Sequence, residues 1–510
     1  MRLLHILLLL PSLVLAQPSV QASREWIKKD GANILAEFKS LLSLPNHASD
    51  LENIQRNAEK LEKMFGDRGF KMQLLQEPGA PPVVYGEYKV KNAKRTLCFY
   101  AHYDGQPVDP SLWTHDAFKP ELYDNAAYKG GKPIPMPKPG DEIKDEWRLY
   151  GRSASDDKAP IIAMMAAIDA LKNSKIGYTS NIKLFFDGEE ESSSPHIEKY
   201  MTKHGDLFKD INVWLLCDGA VYQSGDPSFK FGGRGITGMQ LTVYGPSRPL
   251  HSGHYGNWAP VPGQMLARLI TSMKAEDGTV LIDGYYDSVE PITDFEKQQL
   301  AAAPNIDDQL KEELSLGFTE GNGQSLNERL LLPSLTIRGL SSGSVGDKAR
   351  NVIPSVAIAE LGMRLVKGND PEKMMDLVEA HIKKEGWHIV REDPDHETRM
   401  KYPKVVKVIR DKDGFPAIKV SMDQPEIMNV INGVKSFTGD KSVFLPSSGG
   451  SNRVNNAIYD VLKTPAISVN MVNHDNNQHA ENENVRIGNL WYGVDLMAVL
   501  MTLPNDMPKK

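Results

Sequence analysis

"NIKLFFDGEEE", Asn181 to Glu191, decides the fold. An almost unbroken apolar run leads into three consecutive glutamates. A strand with one wet face alternates apolar and polar side chains. A run without that alternation reads as a strand covered on both faces, as in a parallel sheet between helices. The layout recurs along the chain. "TLCFYAHYD" ends at His102 and Asp104, "INVWLLCDGA" at Asp218, and "TPAISVNMVNHDNNQHAENE" in a loop carrying His474 and His479. Between the runs lie helical patterns: Ile161, Ile162, Met164, Met165, Ile168 and Leu171 follow "SASDDKAP" at helical spacing, with Ser155 or Asp156 placed to cap the start. Alternating strand and helix predict an α/β fold, a mostly parallel sheet covered by helices.

Ligands in such folds bind beyond the carboxyl ends of the strands. Three glutamates in a row are, by themselves, a solvated loop face. Here, however, four strand ends carry His, Asp or Glu, and the loop before the helix adds Asp156. Imidazole and carboxylate without thiolate suit zinc, with manganese or cobalt as alternatives, and the set is large enough for two ions. On a strand, residues two apart face the same side, so Asp104 can orient the ring of His102.

The rest of the composition narrows the field. The chain has 510 residues, 40% hydrophobic and 25% charged, which is ordinary globular composition for two or three domains. A net charge of -7 gives no nucleic-acid footprint. Only Cys98 and Cys217 are present, both in apolar runs, so no disulfide framework is expected and buried thiols are favoured, with a single disulfide between them as the alternative. "MRLLHILLLLPSLVLA" has the layout of a cleaved leader, residues 1–16, with Ala22 as a second cleavage point. It predicts a periplasmic or secreted protein with no membrane anchor after cleavage.

The ordered motifs resemble the dinuclear-zinc exopeptidases and amidohydrolases: carnosinase, cytosolic dipeptidase, aminoacylase, glutamate carboxypeptidase and succinyl-diaminopimelate desuccinylase. "AHYDGQPVD" resembles the first metal motif, implying His102 as ligand and Asp104 as its catalytic partner. "GRSASDDK" implies Asp156 as a bridging ligand; "GEEESSS" implies Glu190 as general base and Glu191 as ligand; "LLCDGA" and "HAENE" add Asp218 and His479. "PLHSGHYGN" resembles a lid motif whose His251 stabilises the oxyanion, often in a partner subunit. "NVIPSVAIAELGMRLV" implies Asn351 and Arg364 for the substrate carboxylate, and "SSGGSNR" implies Gly450 and Ser451 beside the substrate. Ser153, Ser193 and Asn257 stand where the family has glycine.

The resemblance also implies architecture. Residues 20–233 and 420–510 form a discontinuous catalytic domain, and 234–419 an inserted α+β lid that mediates a homodimer. Asp218 resembles the dipeptidase branch, so a dipeptide or short peptide is the expected substrate. An N-acyl-amino-acid amidohydrolase, a carboxypeptidase and an inactive peptide-binding relative are the alternatives. "GLSSG" at Gly339–Gly343 matches a serine-nucleophile pattern, but "SVGDKARNVIP" after it lacks the helix that pattern requires.

Overall fold

The computed structural model describes residues 17–451 and 453–505. The leader 1–16 lies outside the described residues. The alternative cleavage point, Ala22, sits inside the helix Pro18–Leu42, where Val20 and Ala22 are buried.

An eight-stranded sheet forms the larger layer. Its order is Lys71–Leu75, Val83–Tyr88, Asn181–Asp187, Thr96–His102, Val213–Leu216, Ala466–Val469, Ser228–Lys230 and Val443–Leu445. The four central strands run parallel, Asn181–Asp187 through Ala466–Val469, with antiparallel pairings flanking them. Every residue of Thr96–His102 is buried, which is why its sequence does not alternate. One face is covered by the helices Pro18–Leu42, Lys158–Asn173, Pro425–Thr438 and Ile487–Met501. The helix Ile197–Lys203 and the turn around Val454 and Ile458 cover the other. Cys98 and Cys217 are buried free thiols on opposite faces.

The helix expected after "SASDDKAP" spans Lys158–Asn173, but neither Ser155 nor Asp156 caps it. Asp157 holds the N-cap position, and its carboxylate accepts instead from the backbone N–H of His102 at 3.2 Å.

A second sheet of five strands has its own core. It orders Ser334–Ser341, Val356–Leu365, Gly235–Tyr244, Val405–Arg410 and His388–Val390, backed by the helices Pro262–Met273 and Pro371–Lys384. The chain enters this region at Gly232–Gly233 and leaves at Ile418–Lys419, and those two segments pair with each other. The intervening chain is not confined to its own sheet. Ile306 and Leu300 pack on Val443 and Leu445 at the edge of the larger one.

Among the described residues no helix is long and apolar enough to cross a membrane.

Candidate metal centre

The central parallel strands all open onto one end, and their loops carry the chemistry. His102 is the last residue of its strand, Asp218 lies two residues beyond Val213–Leu216, and the Glu189–Glu191 turn follows Asn181–Asp187. Two groups result, His102 with Asp156 and Asp218, and Asp156 with Glu191 and His479; in each, one ligand atom per residue lies within 4.8 Å of the others. Asp156 belongs to both. His102 Nε2 is 2.8 Å from one Asp156 oxygen, and His479 Nε2 is 3.2 Å from the other and 3.2 Å from Glu191.

Asp104 works on two neighbours at once. It stands 3.3 Å from His102 Nδ1, and its two oxygens accept from the backbone N–H groups of Glu190 at 3.1 Å and Glu191 at 3.0 Å. One buried carboxylate therefore fixes a ring and the turn carrying two acids. Glu190 Oε2 lies 4.0 Å from His102 Nε2 and faces the cleft.

Crowding of acids is the electrostatic signature. Burial pushes Glu190 up to about 8, reinforced by Asp218, Asp156 and Glu191 and opposed by His102. Burial and the nearby Asp156 likewise raise Glu191 to about 7 and Asp218 to about 6. Burial also acts on Asp156, but hydrogen bonds with His102 and His479 hold it well below the usual carboxylate range. Its bond to Asp156 lifts His479 to about 9. Carboxylates this close without a cation repel one another, and a divalent cation removes that cost while using the same oxygens. The donor set of oxygen and imidazole fits such ions, so the residues present fit a metal pair.

Sequence reading missed the group that holds the Asp156 loop. Glu483 is fully buried. Its Oε1 accepts from Ser155 N at 2.8 Å, Ser155 Oγ at 2.9 Å and Asp156 N at 2.9 Å. Its Oε2 accepts from Ser153 N at 2.8 Å and Arg152 Nη1 at 2.9 Å. The signal was present in "HAENE", four residues after His479, but nothing local distinguished this glutamate from Glu481. Gln106, 2.7 Å from Glu191, and Asn46, which donates to Tyr103 O and Ser153 Oγ at 2.8 Å each, were also missed. Glu189, the first of the three glutamates whose run by itself reads as a solvated loop face, is instead buried and accepts from the backbone N–H of His196 at 2.9 Å.

The positions where serine or asparagine replaces the family's glycine share one property. Ser153 (φ 62°), Ser193 (φ 67°) and Asn257 (φ 65°) are all left-handed, the backbone region that glycine enters without a Cβ penalty.

Of the substrate-side residues, Arg364, Gly450 and Ser451 line a cleft of about 430 Å³ together with Asp156, Glu190 and His479. His251 and Asn351 do not line it within one chain. They sit together at an exposed site, where Leu250–His251 pairs with Val352–Ile353 and Ser252 N donates to Asn351 O at 3.0 Å. The ring of His254 lies 4.5 Å from that of His251. Ser341 ends an exposed strand and is followed by the short 3-10 turn Gly346–Lys348, without the α-helix a nucleophile elbow needs.

Residues 98–502 match the description "Peptidase family M20/M25/M40". The Cys-Gly metallodipeptidase of Schizosaccharomyces pombe is 28% identical over 64% of this chain and 64% of its own length, under two thirds of that relative. The Beta-Ala-His dipeptidase of Mus musculus is 26% identical over 71% of this chain and 70% of its own. The crystal structure of an M20 family metallo-carboxypeptidase from Sulfolobus solfataricus superposes with a TM-score of 0.69 at 26% identity, covering 92% of this chain and 98% of that one.

Proposed function

The chain belongs to peptidase family M20/M25/M40, and from that premise we propose that it hydrolyses the amide bond of dipeptides or short peptides. The observation that carries the reading is the meeting of two ligand triads at Asp156, with the Glu190 carboxylate beside them. We propose His102, Asp156 and Asp218 as one ligand set and Asp156, Glu191 and His479 as the other, taking zinc, or failing that manganese or cobalt. Bound there, a divalent pair supplies Lewis acidity and lowers the pKa of the attacking water.

The chain's own residues do the rest. Glu190 takes the proton of that water and passes it to the leaving amine, its carboxylate standing 4.0 Å from His102 Nε2 beside both ligand sets. Asp104 keeps the His102 ring and the Glu190 backbone in register. Arg364 pairs with the substrate's C-terminal carboxylate, and Gly450 and Ser451 bound the cleft beside it. His251 and Asn351 serve a partner subunit's cleft. In support, the edge strand Ser334–Ser341 exposes Ile337 and Leu340, and Val345, Val352 and Trp258 are exposed on the same inserted region. The reading thus includes a homodimer, the division into 20–233 with 420–510 and 234–419, and export on the leader 1–16.

The names of the relatives favour a dipeptide substrate, and that of the Sulfolobus enzyme favours a carboxypeptidase as the second reading. Replacement Glu190→Gln tests the core of the proposal. It should keep the metal and lose about 10²–10⁴ in turnover, and full activity in that variant refutes Glu190 as the base.

A further inference from the structure

The cleft has two basic side chains that the reaction above does not both use. Arg364 is assigned to the C-terminal carboxylate. Lys230 lines the same cleft and has no assigned role. It is the last residue of the strand Ser228–Lys230, which is held on both sides, pairing with Ser468 on one neighbour and Leu445 on the other. The strand fixes which way it looks. Phe229 packs into the core against Phe444, so Ser228 and Lys230 share the opposite face. Ser228 Oγ accepts from Asn470 at 3.0 Å, and Asn470 is itself a lining residue of the cleft.

Among the described residues neither Lys230 nor Arg364 is in an ion pair or a side-chain hydrogen bond. The carboxylates of the cleft, Asp156, Glu190 and Asp218, belong to the metal-holding group or stand against it. Asp218 attracts Lys230, yet burial holds the ammonium below the usual lysine value. A cation set into protein without a carboxylate in contact is costly unless something else supplies the charge. A zwitterionic dipeptide has one carboxylate, and Arg364 takes it.

We propose that this cleft selects peptides carrying a second carboxylate besides the C-terminal one, and that Lys230 is the residue that selects it. The proposal rests on the dipeptidase reading for its substrate, but its charge logic can be tested separately. The same unpaired ammonium disfavours substrates with a basic side chain, because two like charges in a partly dry cleft repel.

The test pairs isosteres that differ only in charge. With the metal-loaded full-length enzyme, kcat/KM is compared for Ala-Asp against Ala-Asn and for Asp-Ala against Asn-Ala. In parallel, calorimetry compares binding of glutarate and butyrate. We expect at least one acidic member to be favoured by about tenfold or more, mainly through KM, as a charge-assisted bond provides. Lys230→Met should bring that ratio, and the glutarate preference, close to one, and Lys230→Arg should restore both. A neutral member preferred in both pairs, or a preference that survives Lys230→Met, overturns the proposal and leaves the dipeptidase reading standing. Lysine-dependent glutarate binding with no hydrolysis of any dipeptide supports the selectivity and overturns the dipeptidase reading instead.

Discussion

Replacing Glu483 by glutamine isolates what the buried carboxylate does for the metal loop. The side chain keeps its shape but loses its charge, and one oxygen becomes an NH2 group. In either orientation that NH2 faces donors. At one position these are Arg152 Nη1 and Ser153 N; at the other, Ser155 N, Ser155 Oγ and Asp156 N. The Arg152 side chain is 3% exposed, so its guanidinium stays buried without an anionic partner. Breaking a buried pair from one side costs about 3–5 kcal/mol, a large part of the roughly 5–15 kcal/mol that keeps a protein folded. Because the same carboxylate positions the backbone of Asp156, metal affinity should also fall, by about 10–100-fold. Urea unfolding of the metal-free protein measures the first effect, and titration with metal against a competing chelator the second. Stability within about 1 kcal/mol of the parent, together with unchanged metal affinity, would refute the view that Glu483 holds this loop.

Three other replacements probe the surroundings. Glu189→Ala leaves the His196 N–H without its 2.9 Å acceptor and should cost about 1–3 kcal/mol in urea unfolding; a change under 0.5 kcal/mol returns Glu189 to a solvated role. Ser193→Gly relieves a left-handed residue on the turn that carries Glu190 and Glu191 and should stabilise by up to about 1 kcal/mol, read as a higher unfolding midpoint; destabilisation refutes the strain. Asp475 is buried enough to raise its pKa, but Arg148 at 2.8 Å and 2.9 Å, with Asn473 and Tyr128, holds it well below the usual carboxylate value. A depressed folded value gives stability that is present above the unfolded pKa of about 3.9 and is lost as pH falls through the folded one. Asp475→Asn should therefore be clearly less stable than the parent at pH 7, with the gap closing in unfolding experiments below about pH 4; a gap independent of pH argues against the ion pair.

Much of the centre was legible because its residues carry a signature that survives in one dimension. A strand buried on both faces must be apolar throughout, and a loop that holds metal must supply His, Asp or Glu where such a strand stops. Thr96–His102 with Asp104, and Asn181–Asp187 with Glu190 and Glu191, combine both signals, and the structure brings His102, Asp156, Glu191, Asp218 and His479 together in two groups able to hold a metal ion. The capping role given to Ser155 and Asp156 was wrong for a related reason. The Ser155 hydroxyl donates instead to Glu483, a residue more than 320 positions away, and the Asp156 carboxylate stands against His102 and His479, contacts that no local pattern encodes.

By itself, then, the sequence determined the strand ends, the order of the ligand motifs and the family they belong to. Hydrophobic burial and ligand chemistry constrain residue type at each position independently. Tertiary structure alone decided which polar residues act on those ligands and which are left over. Glu483, Asn46 and Gln106 hold the loops, whereas Lys230 faces the cleft with no carboxylate in an ion pair with it among the described residues. Their roles depend on where distant segments meet, and a polar residue in a loop reads the same along the chain whether it meets a partner or not.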